Sequence, residues 1–287
     1  MSSMPDWTSV PFPELDAAQL SAICAKHGLG QRHIGRMRST GVVNSIYTLG
    51  DDLVLRAPKN MPEALSDTYT ESVACPVAHA AGVRTPALVA WDESFDILDV
   101  PYTIHELVDG EPSELDFDGP VWRDLGRDIA RMHATVTECP DPLGRLDDAG
   151  RADETWILKW AHGSKIQAWL ERCIDRMRPL IEDVVPDKFL HNDVSNNNVL
   201  HKDGEYGALI DWGDAAWGDP SLEFASLPMV AVMPMLAGYR EVLPLDEVTT
   251  EARILWDKLV RIDHPVILEH MLAFRSQAPE PWRRLLE

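Results

Sequence analysis

The spacing of hydrophobic positions changes character along the chain. Near the start, Leu20, Ile23, Cys24 and His27 recur at helical spacing, with Asp16 and Gln19 placed as a capping box before them and Gly28 at the end. The proline-rich residues 1–13 ahead of them read as a loose arm. Extended runs follow at 31–37, 42–49 and 53–57, and Gly50-Asp51-Asp52 joins the last two as an antiparallel hairpin. Residues 63–81 have the pattern of a helix closed by Gly82, in which Pro76 is expected to kink or break the chain. Runs at 87–91 and 102–108 predict two more strands. The first 110 residues are thus mostly antiparallel sheet with one inserted helix.

Past Asp109-Gly110-Glu111-Pro112 the period becomes helical. Leu125, Ile129, Met132 and His133 share one face of a helix over 121–136. A longer helix is predicted over 155–177, with Trp156, Trp160, Trp169 and Ile174 as core candidates. Two short apolar runs, 198–200 and 208–210, each adjoin a polar cluster, and the remainder from about 219 is helical. There is no internal repeat and no low-complexity tract. The pattern describes an α+β protein with a sheet-rich part and a helical part meeting near residue 110.

Composition narrows the class. The 287 residues are 45% hydrophobic and 25% charged, ordinary globular usage, and the length suits two lobes. No window approaches the roughly 20 uncharged apolar residues of a membrane span, and residues 1–6 lack the basic and apolar regions of a signal peptide. A cytoplasmic protein without a membrane partner is expected, as a monomer or weak dimer. Cys24, Cys75, Cys139 and Cys173 are far apart, with no Cys-x-x-Cys pair and no Cys/His cluster. They predict neither a zinc site nor a disulfide frame and read as small buried residues. The net charge of −21 argues against nucleic acid as a partner, because phosphate contacts need Lys and Arg. It suits either steering of cationic ligands or plain solubility.

The chemistry concentrates in His191-Asn192-Asp193-Val194-Ser195-Asn196-Asn197-Asn198-Val199-Leu200 and, 13 residues after Asn198, in Asp211. Phosphoryl transfer passes through a loose, highly charged transition state, so a protein catalyses it by positioning and electrostatics. One carboxylate must meet the attacking hydroxyl, and hard oxygen donors must hold Mg²⁺ against the phosphates. Asp193 is the candidate for the first task; Asn198 and Asp211 are the candidates for the second. Singly, each half could be a polar turn or a capped strand end. Their order, spacing and apolar flanks together point to catalysis.

These segments resemble those of the aminoglycoside phosphotransferase family, antibiotic kinases that share the protein-kinase fold. That family's catalytic segment reads His-x-Asp-x-x-x-x-Asn-hydrophobic, and its metal segment reads Ile-Asp-Trp-x-x-Ala-x-x-Gly-Asp. Ile210-Asp211-Trp212-Gly213-Asp214-Ala215-Ala216-Trp217-Gly218-Asp219-Pro220 fits the second closely. The likeness runs along nearly the whole chain, is specific over 191–223 and is looser toward the N-terminus. The Ser-Asn-Asn-Asn-Val-Leu run and the Trp-rich helix before it are most similar to hygromycin B kinases. The resemblance implies a protein-kinase-like bilobal α+β fold, with an antiparallel-sheet nucleotide-binding lobe over 1–108 and a mainly helical catalytic and acceptor-binding lobe over 109–287. It also implies ATP or GTP as phosphoryl donor, with Mg²⁺.

Residue by residue, the same resemblance places Ser39, Thr40, Asn44 and Ser45 in the turn covering the phosphates, although only Gly41 of a Gly-rich loop is present. Arg56 stands where a protein kinase carries its phosphate-binding Lys, as in the macrolide-kinase-like branch, with Lys59 as the alternative. Glu71 would pair with that cation. The backbone carbonyl of Glu106 and the N–H of Val108 would meet the base, with His105 guarding the back of the base pocket. His191 would order the catalytic loop, and His133 reads as a core histidine. Trp212 and Trp217 flank the metal segment as packing residues.

The acceptor is less determined. Asp153, Glu154, Asp214, Glu223 and Glu269 are carboxylates suitably placed in the sequence, and Asp214, Glu154 and Glu223 are the chosen contacts. With the acidic balance they point to a small-molecule hydroxyl acceptor that is cationic, an aminoglycoside or basic peptide antibiotic. A macrolide kinase, a metabolic kinase for an amino alcohol or sugar, and a nucleotide-binding pseudokinase remain alternatives. Intact Asp193, Asn198 and Asp211 speak against the last.

Overall fold

The computed structural model describes residues 9–37, 41–113, 120–181, 187–260 and 265–287. Helix α1 (Ala17–Lys26) opens with the expected capping box, Asp16 and Gln19 each closing on the other's backbone, and Gly28 leaves it at φ 67°. Strands β1 (Ile34–Arg36), β2 (Asn44–Leu49), β3 (Leu53–Pro58), β4 (Leu88–Asp92) and β5 (Tyr102–Glu106) form one antiparallel sheet in the order β1-β2-β3-β5-β4. Its β2–β3 hairpin pairs Leu49 with Leu53 across a turn where Gly50 takes φ 75°. Tyr47, Leu49, Leu55 and Ile104 from this sheet pack with Leu20 and Ile23 of α1 into a small core.

Helix α2 (Pro62–Ala80) runs through Pro76 without a break, contrary to the sequence expectation. Pro76 lies on the exposed face of the helix. Burial of Ala64, Thr68, Glu71, Ala74, Cys75 and Ala78 holds the helix on both sides of it. The helix also spans two cores. Leu65 packs on the small one, while Ala74, Cys75 and Ala78 belong to the large one.

The large core is built from α3 (Pro120–Thr135), α4 (Thr155–Ala161), α5 (Gln167–Ile181), α6 (Met229–Val242), α7 (Glu247–Val260), α8 (Pro265–Gln277) and α9 (Trp282–Leu286). α3 and α6 cross at two glycines. A Cβ on Gly126 would overlap the carbonyl oxygen of Met235, and one on Gly238 would overlap that of Arg123. The single helix expected over 155–177 is two, α4 and α5, because Gly163 takes φ 76° between them. Trp169 and Ile174 are buried as expected, but Trp160 is 39% exposed.

Short strands complete the site's scaffold: β6 (Glu111–Pro112), β8 (Val199–Lys202) and β9 (Glu205–Leu209) in one small sheet, β7 (Lys188–Leu190) and β10 (Ala216–Gly218) in another. The β7–β10 pair was not anticipated from the sequence, since three residues per strand carry no readable period. No described helix is long and apolar enough to cross a membrane.

Candidate functional site

The segment read from the sequence as the catalytic loop leaves β7 at His191, and the one read as the metal segment leaves β9 at Ile210. Glu223, buried in the 3-10 turn Pro220–Phe224, anchors the loop. Its two carboxylate oxygens accept the backbone N–H groups of His191 at 2.8 Å and Asn192 at 3.0 Å. His191 Nε2–H donates to the carbonyl of Ile210 at 3.0 Å, which leaves Nδ1 to accept the N–H of Asp193 at 3.3 Å. Asn192, at φ 65°, turns the chain and donates its amide to the carbonyl of Asp214. The N–H of Ile210 returns to the carbonyl of Asn198 at 2.9 Å. Two side-chain bonds to backbone and one backbone bond thus fix the two segments relative to each other, as a preorganised electrostatic site requires.

Asn198 holds Asp193 directly: its Nδ2 donates to Asp193 Oδ2 at 2.8 Å and to the Asp193 carbonyl at 3.0 Å. Burial pushes the Asp193 carboxyl above its ordinary range, while His191 and the Asn198 amide pull the other way. Asp211 sits in the left-handed region, φ 70° and ψ 70°. Its Oδ1 accepts Arg56 Nη2 at 2.6 Å. The Arg56 guanidinium, with burial opposing it, holds the Asp211 carboxyl below the usual carboxylate range.

Arg56 reaches this point from β3 and simultaneously pairs through Nη1 with Glu71 of α2. Burial lifts Glu71 to about 7 against the lowering effect of Arg56, and the N–H of Trp212 donates to it. The Trp212 indole donates to Thr85 Oγ1 at 3.0 Å and stacks on Phe189, so the residue after Asp211 is locked into the core. A cavity of about 60 Å³ lies where these elements meet, lined among others by Asn44, Arg56, Asp67, Glu71, Asp211 and Asp214. A larger cavity, about 270 Å³ between Arg176, Leu180, Val248 and Leu285, contains none of these residues.

Asp67 is the residue the sequence reading missed. It precedes Glu71 by one helical turn, so the i, i+4 spacing would have pointed to it. Burial and the charges of Asp214 and Asp211 push its carboxyl up to about 7. It touches the metal segment so closely that a Cβ on Gly213 would stand 2.9 Å from the Asp67 Cβ.

Several predicted contacts lie elsewhere. Strand register separates Asn44 from Ser45. Asn44 shares the cavity face with Arg56, whereas Ser45 faces the small core beside Ala57, where its hydroxyl donates to the Pro13 carbonyl. Lys59 is buried over the Phe12 ring, 4.2 Å from its centroid, so Arg56 is the cation at the cavity. Glu223 is the loop anchor described above, with no exposed carboxylate to meet an acceptor. Glu154 is paired with Arg178 at 2.9 Å. Asp214 is exposed beside the cavity. Glu106 ends β5 and Val108 follows in the link to β6. His133 is the expected core histidine, bonded to Tyr239 at 2.8 Å. Ser39 and Thr40 lie outside the described residues.

Among the described residues no group of three or more His, Cys, Asp or Glu side chains is arranged to hold a metal ion. The oxygens that could hold one are the Asn198 amide oxygen, left over when its Nδ2 serves Asp193, and the Asp211 oxygen not taken by Arg56. Two hard oxygen donors fit Mg²⁺, which keeps most of its shell for water and phosphate.

The sequence profile of a phosphotransferase enzyme family matches residues 36–247. No curated protein matches the chain in sequence. Among solved structures, the GDP complex of wild-type aminoglycoside 2'-phosphotransferase-IIIa superposes with a TM-score of 0.59 at 14% identity, covering 95% of this chain and 97% of that one. The streptomycin–ATP ternary complex of APH(2")-IIa gives 0.56 at 15% identity, with 92% and 95% covered. The apoenzyme of macrolide 2'-phosphotransferase MphH from Brachybacterium faecium gives 0.56 at 18% identity, with 94% and 96% covered. These likenesses establish the protein-kinase-like α+β fold. With the profile matching more than half of its length, the chain belongs to the phosphotransferase enzyme family and is an enzyme that transfers phosphate to an alcohol group.

Proposed function

We propose that this chain moves the γ-phosphoryl group of ATP or GTP onto a hydroxyl of a small cationic antibiotic, an aminoglycoside or a basic peptide, and so inactivates it. The observation that carries the reading is a pair of held carboxylates on two segments bonded to each other. Asp193 is fixed by Asn198 on one loop, and Asp211 is fixed by Arg56 on the next. Asp193 Oδ2 faces the Asn198 amide, so Oδ1 is the oxygen placed to accept the proton of the attacking hydroxyl. As the hydroxyl oxygen bonds to phosphorus and the bond from phosphorus to the departing nucleoside diphosphate breaks, Arg56 offers its guanidinium to the phosphate oxygens with a forked geometry. Asn198 and Asp211 would hold Mg²⁺, which when bound neutralises charge on the phosphates. Asp214, exposed at the cavity edge, is the carboxylate best placed for an acceptor ammonium. Glu154 already carries Arg178 and ranks below it. Four unpaired cysteines fit the reducing cytoplasm, where nucleoside triphosphates are abundant.

The test is nucleotide consumption with aminoglycosides, tuberactinomycin peptides, macrolides and small amino alcohols, each with ATP and with GTP. Asp193→Asn serves as the control and should lower kcat by roughly 10²–10⁴ with little change in nucleotide affinity. Turnover of macrolides or amino alcohols in place of the cationic antibiotics would reassign the acceptor. Near-normal turnover by Asp193→Asn would remove Asp193 from the mechanism.

A further inference from the structure

Three adjacent positions on one face of the N-terminal sheet carry buried polar atoms without a partner. The register pairs Arg56 with Thr103 and Val54 with His105 across β3 and β5. Side chains of directly paired residues project from the same face, and so do residues two apart on one strand. Arg56, Thr103 and His105 therefore stand side by side on the face that meets α2. Thr103 and His105 are 0% and 2% exposed. Among the buried atoms without a hydrogen-bond partner are Arg56 Nε, Thr103 Oγ1 and both ring nitrogens of His105. Buried polar groups are almost always hydrogen-bonded, so a run of orphans on neighbouring residues calls for partners.

The orphans are matched in kind. Arg56 Nε–H is a donor and the Thr103 hydroxyl accepts, and the two residues are cross-strand partners. His105 Nε2 stands 3.8 Å from Glu71 Oε2, while the other oxygen of Glu71 is taken by Arg56. An approach of about 0.6 Å would bring Nε2–H into hydrogen-bond range. Burial keeps His105 neutral, its pKa lowered to about 3, so one ring nitrogen carries the only N–H.

We propose that His105 and Thr103 are positioning residues for the donor site: His105 Nε2–H holds Glu71 Oε2, Thr103 Oγ1 holds Arg56 Nε–H, and together they fix the fork of Arg56 for the phosphates. The pairing goes beyond the Arg56–Glu71 contact and rests on the phosphotransferase reading of this cleft. It gives the strand residues a task separate from any contact with the base. A guanidinium held at Nε and at Nη1 has a single orientation, in which Nη2 keeps an N–H for phosphate beyond the one given to Asp211.

Calorimetry of ATP and GTP with Mg²⁺, set against adenosine and guanosine, tests this. His105→Leu should weaken triphosphate binding about tenfold and leave nucleoside binding unchanged, and His105→Gln, which keeps an N–H donor, should recover most of the loss. In a Glu71→Leu background, which lacks the acceptor, His105→Leu should have no further effect. If His105→Leu does not fold, Thr103→Val carries the same test through Arg56, with a loss confined to the triphosphate and silent in an Arg56→Lys background. Equal losses for triphosphate and nucleoside, or undiminished losses in the Glu71→Leu and Arg56→Lys backgrounds, overturn the proposal. A wild-type chain that binds neither triphosphate would instead defeat the donor-site reading itself, and this proposal with it.

Discussion

At the scale of single residues, the carboxylate of Glu223 performs a structural task that an acidic residue near a metal segment does not advertise. Both of its oxygens receive backbone N–H groups of the catalytic loop, and His133 stands 3.4 Å away. Glu223→Gln would turn one acceptor into a donor facing another donor, and an unsatisfied buried group costs about 1–3 kcal/mol. The variant should therefore lose thermal stability and kcat together, while the acceptor KM stays near that of the wild type. A rise in acceptor KM with normal kcat would return Glu223 to the acceptor site. The sequence singled out Asp193, Asn198 and Asp211 by motif spacing, and Arg56 and Glu71 through the family resemblance; the structure brings Asn198 onto Asp193 and Arg56 onto Glu71 and Asp211. The sequence could not separate Glu223 from Asp214, or Ser45 from Asn44. Those distinctions depend on burial and on strand parity, which are set by pairing partners far away in the chain.

At the scale of elements, α1 illustrates a dock made largely of charge. Lys26, in its last turn, pairs with Asp92 at the end of β4 at 2.5 Å and with Asp96 on the link to β5 at 2.8 Å, and His27 meets the Tyr102 hydroxyl at 2.9 Å. Although burial opposes it, the Lys26 bond and the two bonds from Ser94 hold Asp92 down to about 2. A folded pKa below the unfolded one adds stability that is complete above about pH 5 and is lost as pH falls through 4 toward 2. The contribution is at most about 2 kcal/mol. Asp92→Asn should lower the midpoint of thermal unfolding at pH 7, and the gap to wild type should close as pH falls toward 2. A gap that persists unchanged in acid would mean that packing, not charge, holds the dock. Elements with a sustained period, such as α1, the β2–β3 hairpin and α3, were legible in the sequence. The division of α4 from α5 depends on one glycine in a left-handed conformation, and β7 and β10 exist only through each other, so local pattern could not show them.

At the scale of the molecule, an excess of 47 acidic over 26 basic side chains coexists with arginines largely drawn into internal pairs. Arg151 joins Asp219 and Asp257, Arg84 joins Asp128, and Arg240 joins Glu251. The unpaired surplus is therefore acidic, and its field reaches beyond any single contact. The lining of the cleft cavity sets the carboxyls of Asp67, Glu71, Asp211 and Asp214 against the guanidinium of Arg56. A polycationic acceptor approaching that cleft would be captured faster than a neutral one. Exposed charges are screened beyond about 8 Å at physiological ionic strength, so kcat/KM for such an acceptor should fall from low to high salt while kcat changes little. Asp214→Asn should raise the acceptor KM and leave the donor KM nearly unchanged, because Asp214 lines the cavity without contacting Arg56. The two effects share a cause, so salt should matter less in the Asp214→Asn variant than in the wild type. Steady-state kinetics at several ionic strengths, with a neutral macrolide as control, checks all three. A salt-independent kcat/KM, with the macrolide turned over better than the cationic antibiotics, would show that the surplus charge serves solubility and that the acceptor is recognised by apolar contact.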